Sequence, residues 1–162
     1  MHHLTVKNMN QLVKQLFLSL LGFWVCTVVS AQIVLVNNGK SKSRIVLTKE
    51  TPVNRTAANI LQMFVQKISG KNLPITLGQQ ALGKGDIWID GELSSGVTED
   101  GFSLSTKDGI LRISGSGNGT VYGVVTLLEQ YLGVDYWGEN EYSFNPAKTI
   151  ELPLIDKIDN PA

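Results

Sequence analysis

ISGSGNGTVYGVVTLLEQYLG, Ile113 to Gly133, carries an apolar run into four glycines and then into a helical pattern. Gly115, Gly117, Gly119 and Gly123 stand roughly where a dinucleotide-binding protein places its pyrophosphate loop. That fingerprint is G-x-G-x-x-G on the turn between the first strand and helix of a βαβ unit. Here the third glycine comes one residue early, and Thr120 occupies the fingerprint position. The preceding strand reads as the second arm of a hairpin, because Lys107-Asp108-Gly109 separates Phe102–Thr106 from Ile110–Ser114 and a DG turn between apolar runs is a hairpin signal. Asp135 lies about 20 residues on, at ribose-binding distance, but at the beginning of its strand rather than the far end. The glycines therefore read as a structural turn that lets the helix pack close to a sheet, and no nucleotide or other cofactor is implied.

The same logic extends outward from that turn. The helix runs from about Asn118 to Leu132, with Val121, Val124, Val125, Leu128, Tyr131 and Leu132 as its expected buried face and Gly133 as its stop. A first helix opens at Thr51-Pro52, where the missing proline N–H costs nothing. Its apolar stripe is Ala57, Ala58, Leu61, Phe64, Val65 and Ile68, and Ser69-Gly70 closes it. Ile33–Val36, Arg44–Thr48, Leu73–Leu77, Asp86–Asp90, Val134–Trp137 and Thr149–Leu152 read as short strands, with Asn37-Asn38-Gly39 as a turn. Two helices with one apolar face each over these strands predict an α+β fold, a two-layer α/β sandwich whose mixed sheet carries both main helices on one face.

Residues 1–31 stand apart from this body. Lys7 and Lys14 precede the apolar run Leu16 to Ala31, which ends in Val29-Ser30-Ala31. Basic start, apolar middle and small-residue end follow the order of a secretory signal peptide, and the run is shorter than the about 20 residues of a membrane span. Cleavage after Ala31 would leave Gln32 first, in an exported chain held at no membrane. It would also remove His2, His3 and Cys26, every histidine and the one cysteine of the 162 residues. The mature chain then carries twelve basic and fourteen acidic residues, a balance that gives nucleic acid or an anionic surface no purchase.

Without histidine or cysteine, acid–base chemistry would rest on carboxylates. Asp86 with Asp90, which bracket a strand, and Glu99 with Asp100, in a polar loop, read as solvated ends. Glu139 and Glu141, in GVDYWGENEYSF, are the least bland pair; a glycosidase needs two carboxylates across one bond, and loop spacing alone does not supply that. No calcium-loop pattern is present. Tyr136, Trp137 and Tyr142, with Phe144, would suit either stacking on sugar rings or docking onto a neighbouring domain. Gly78 to Gly85 copies the phosphate-binding G-x-x-x-x-G-K but puts Gly85 where Ser or Thr should follow, and a strand succeeds it rather than a helix.

AANILQMFVQKISGKNLPI, EDGFSLSTKDGILRISGSGNGTVYGVVTLLEQYLGVDYW and the closing IDKIDNPA together resemble the N-terminal domain of a group of secreted bacterial glycosidase-like proteins. These are allied to the α-glucuronidases and to the β-hexosaminidases, whose second domain has the same build. The resemblance covers residues 33–162, and its most specific pieces are Asp100-Gly101-Phe102, Ile113-Ser114-Gly115 and Tyr122-Gly123-Val124 through Leu132-Gly133. Asp135 stands before Tyr136-Trp137 where many relatives carry a basic residue. The resemblance implies a hexosaminidase domain 2-like α/β sandwich over residues 32–162. It also implies a structural glycine turn and, as partner, a C-terminal (β/α)8 barrel holding the catalytic carboxylates. That barrel would begin about where Asn160-Pro161-Ala162 ends this chain, so no catalytic residue of the family is expected within it. A free-standing carbohydrate-binding module is the alternative expectation.

Overall fold

The computed structural model describes residues 33–78, 81–89, 93–138 and 141–161; the expected signal segment lies outside them. The elements in order are β1 (Ile33–Asn37), β2 (Lys40–Ser41), β3 (Ile45–Leu47), α1 (Pro52–Ser69), β4 (Ile75–Leu77), β5 (Ile87–Ile89), β6 (Phe102–Lys107), β7 (Ile110–Gly115), α2 (Gly119–Tyr131), β8 (Asp135–Gly138), β9 (Glu141–Ser143), β10 (Ile150–Leu152) and β11 (Asp156–Asp159). The α+β class read from the sequence is what the chain adopts. Six strands make one mixed sheet in the order β11-β6-β7-β5-β3-β4. Its β4-β3-β5-β7 half is parallel and its β7-β6-β11 half antiparallel.

The register explains the layering. Ile45, Ile87 and Leu111 lie side by side across the parallel strands, as do Leu47, Ile89 and Ile113, and all six are fully buried. Alternation along a strand then sends Val46, Trp88 and Arg112 to the opposite face. There Trp88 donates its indole N–H to Thr48 Oγ1 (2.5 Å), and the Arg112 guanidinium sits 5.7 Å from the Trp88 ring.

α1 forms as its sequence dictates. Thr51 Oγ1 accepts the Asn54 N–H (3.1 Å), Pro52 fills the first turn, and Gly70 ends the helix at φ 70 with its N–H on Gln66 O (2.8 Å). The expected stripe from Ala57 to Ile68 is buried throughout, each large member stabilising the fold by roughly 1.5–3 kcal/mol relative to exposure.

α2 departs from its expected face. Gly119, Thr120, Gly123, Val124, Leu127 and Leu128 are buried, whereas Val121, Val125, Tyr131 and Leu132 are only half-buried. A side chain at Gly123 would sit 3.2 Å from Phe102 and 3.3 Å from Ile113. The small residues thus set the face by letting the helix settle onto β6 and β7, while Val125 borders a recess shared with Ile60 and Met63 of α1.

The sheet also differs from the single mixed one expected. β1, β2 and β10 form a separate antiparallel three-stranded sheet, order β10-β1-β2, and β8 with β9 makes a two-stranded ribbon. The small sheet shares the main core through Ile33, Leu35, Ile150 and Leu152, and Ala147 N–H to Ile68 O (2.9 Å) ties its approach to the end of α1. β11 carries a single apolar residue, so its sequence shows no strand period; it forms because the β6 edge offers unpaired backbone groups. Among the described residues no helix is long and apolar enough to cross a membrane.

Candidate functional site

The glycine turn is filled by the protein itself. Asn118 donates its backbone N–H to Asp100 Oδ1 (2.7 Å), and Ser116 donates its own to Gly101 O (3.0 Å). Asp100 sits at φ 57, a conformation that a short acceptor side chain tolerates. A Cβ on Gly119 would overlap the Gly101 carbonyl, one on Gly115 would overlap Thr120 N, and one on Gly117 would strike the Asp100 carboxylate. Close backbone approach, not phosphate access, is what these glycines provide. The positive end of α2 faces a carboxylate from the neighbouring loop, where a phosphate would otherwise sit. Gly83–Gly85 is closed in a comparable way: Gly83 N–H donates to Asp86 Oδ2 (2.7 Å) and Gly85 N–H to Gly109 O (2.7 Å).

Asp86 is not the solvated strand end expected from its position. It is buried and held by the Arg44 guanidinium, Nε to Oδ1 at 3.0 Å and Nη2 to Oδ2 at 2.9 Å. Burial pushes its carboxyl up, but the hydrogen bonds from Arg44 and Gly83 and the Arg44 charge outweigh that and hold it below its usual 3.8. This pair braces the start of β5 rather than forming part of a reactive cluster. Asp90 and Glu139 lie outside the described residues. Glu141 is exposed on β9, and Glu99 is exposed in its loop. Among the described residues no three His, Cys, Asp or Glu side chains group to hold a metal.

The aromatic segment folds into the β8–β9 ribbon, pairing Tyr136 with Tyr142 and shifting register between Tyr136 and Gly138. The three aromatic candidates then take different roles. Tyr142 meets Phe64 of α1 edge-on at 5.1 Å and stacks on Phe144 at 6.2 Å. Lys67 Nζ lies 4.5 Å from its ring centroid and donates to its hydroxyl. Its faces are taken, so it props the ribbon on α1. Tyr136 lies 6.4 Å from Phe64 and 6.2 Å from Tyr142 yet stays 52% exposed, and Trp137 is 74% exposed.

Two adjoining recesses flank Tyr136. One, of about 270 Å3, lies between the helices and is walled by Ile60, Met63, Phe64, Val125 and Leu128. The other, of about 240 Å3, is bordered by Asp135 and Trp137. Glu129, Val134 and Tyr136 line both. Ile60, Met63 and Glu129 are not among the residues the sequence singles out; the signal it carries for them is that Ile60 and Met63 stand beside the main stripe of α1, as surplus apolar residues on a helix whose core face is already full.

No family model matches the chain, and no curated protein matches it. Solved structures do. A Streptomyces plicatus β-hexosaminidase in complex with product is 20% identical, with TM-score 0.53, over 82% of this chain and 24% of that one. The same organism's N-acetyl-β-hexosaminidase in complex with thio-NAglucal matches at 19%, TM-score 0.52, over 82% and 24%. A Vibrio harveyi exo-β-N-acetylglucosaminidase matches at 20%, TM-score 0.51, over 79% and 16%. At these identities the likeness is one of fold. The chain spans a quarter or less of each of these glycosidases.

Proposed function

We propose that this chain is the non-catalytic N-terminal accessory domain of an exported glycoside hydrolase of α-glucuronidase or β-hexosaminidase type, acting in polysaccharide or glycoconjugate breakdown. Its task is to pack against a (β/α)8 catalytic barrel and brace it. The observation that carries this reading is an apolar strip on the outer flank of the helices. Met63, 41% exposed on α1, shares one recess with Ile60 of the same helix and Val125 of α2. Tyr136 and Trp137 continue the strip on the ribbon. An apolar surface of this kind, rimmed by polar residues, marks a partner site. The fold likeness to small portions of much longer glycosidases supports the same reading. The signal-like order of residues 1–31 supports the exported part of the reading. The test is the genomic reading frame beyond Ala162: a contiguous or adjacent barrel-encoding sequence is the expected result, and a stop codon with no such sequence nearby overturns the proposal.

A second reading, a carbohydrate-binding module, draws support from the exposure of Trp137 and Tyr136, since open aromatic faces suit sugar rings. Tyr142 contributes only as their prop. Calorimetric titration with hexosamine- and uronic-acid-containing oligosaccharides is the check, and an absence of heat and of tryptophan fluorescence change removes this reading.

A further inference from the structure

We infer, resting on the accessory-domain reading, that the two recesses beside Tyr136 form one docking site for a partner polypeptide that presents an apolar side chain next to an arginine or lysine. The recess between the helices is walled by aliphatic and aromatic side chains apart from Glu129, with the Tyr136 hydroxyl the one other polar side-chain group among its lining residues. An aliphatic or aromatic side chain fits it, whereas a sugar hydroxyl buried there would lose its water partners without replacement. The adjoining recess has the opposite character. Glu129 and Asp135 line it together with Trp137 and Tyr136, Asp135 Oδ2 accepting a long hydrogen bond from Ser143 Oγ (3.4 Å), and among the described residues no lysine or arginine lines either recess. Lys67, one turn along α1 from Met63, is engaged by Tyr142 instead.

A carboxylate beside a tryptophan face selects a cation, and a guanidinium most of all. Its planar fork bonds a carboxylate on two atoms while its face lies on the ring. Glu129 and Val134 belong to both recesses, so the anchor and the cation must arrive on the same short segment. The partner surface is therefore defined by chemistry: a leucine-, methionine- or phenylalanine-sized anchor with a basic residue within a few positions of it.

The full chain, labelled with nitrogen-15, is titrated with the blocked peptide Leu-Ala-Ala-Arg amide and, separately, with Leu-Ala-Ala-Glu amide. The expected result is that the arginine peptide shifts the Trp137 indole N–H and the Glu129 and Val134 amides, with the glutamate peptide weaker by about tenfold, the scale of one such cation contact. The double variant Glu129→Gln, Asp135→Asn should equalise the two peptides, and Met63→Asp should abolish both sets of shifts. All substituted positions are exposed, so folding is retained and the amide spectrum checks it. Equal binding of both peptides would overturn the charge preference while leaving the accessory-domain reading, which stands on the downstream frame, untouched. Shifts from neither peptide overturn the inference, and so do shifts of the same resonances by a neutral chito-oligosaccharide alone.

Discussion

Gly119 and Gly133 both lie at ends of α2, but a methyl group would meet different surroundings at each. At Gly119 it would meet the Gly101 carbonyl, backbone against backbone, with no flexible side chain to yield. Gly119→Ala should therefore cost roughly 1–3 kcal/mol through overpacking, or more if the 98–101 loop detaches. Gly133 sits at φ 64 with nothing within 4 Å of an added Cβ, so Gly133→Ala should cost only the left-handed backbone term, about 1–2 kcal/mol. Urea unfolding of both variants, with loss of the Asp100–Asn118 contact followed by amide exchange, separates the two mechanisms.

Asp86 gives the other residue-level outcome. Its carboxyl titrates lower folded than unfolded, so its contribution is fully present above the unfolded value near 3.8. That contribution fades as pH falls through the depressed folded value. Stability measured by urea midpoint should fall below about pH 4, and Asp86→Asn should flatten that acid arm. At neutral pH the same substitution should cost roughly 1.5–3 kcal/mol, since it removes charge-assisted bonds from a partner that remains partly solvated. The sequence placed Asp86 at a strand end; Arg44 lies 42 positions away, and no local pattern joins the two.

α1 was legible almost to the residue, because capping, proline, apolar stripe and terminal glycine all act within its own span. Thr51→Ala should lower stability by about 1 kcal/mol, read as a shift in the thermal midpoint. α2 was legible in extent but not in face. Counting apolar side chains credits Val121 and Val125 and gives Gly119 and Gly123 nothing, whereas close packing onto Phe102 and Ile113 requires those glycines. The Val134–Trp137 run is legible as a strand, but its sequence does not say which strand it joins; among the described residues it pairs with β9. What fixes that ribbon is Tyr142 on Phe64, a contact across 78 positions. Tyr142→Ala should free it, so that limited proteolysis cuts between 135 and 143 far faster than in the parent while the helical signal is unchanged.

At the scale of the whole molecule, the layers follow from the register of six buried aliphatic side chains on one sheet face, and the class was readable from element order alone. The candidate docking site was not readable, because its walls come from α1, α2 and the ribbon, which only folding brings together. A molecule with this strip uncovered should associate with itself. The chain beginning at Gln32 should show a sedimentation coefficient that rises with concentration, and Met63→Asp should remove the rise. A flat profile for the parent would mean that the strip is too small to drive association unaided.

The carboxylate of Asp100 at the threshold of α2 has one more consequence. Eighteen positions of chain hold it beside Asn118, so it is presented at an effective concentration on the order of millimolar or above. A dissolved anion competing for the same backbone donor would be displaced by this resident tenant unless it outnumbered it. The start of α2 is thus satisfied from within, and the loop before β6 is tied to it by the Asp100 carboxylate and the Gly101 carbonyl together.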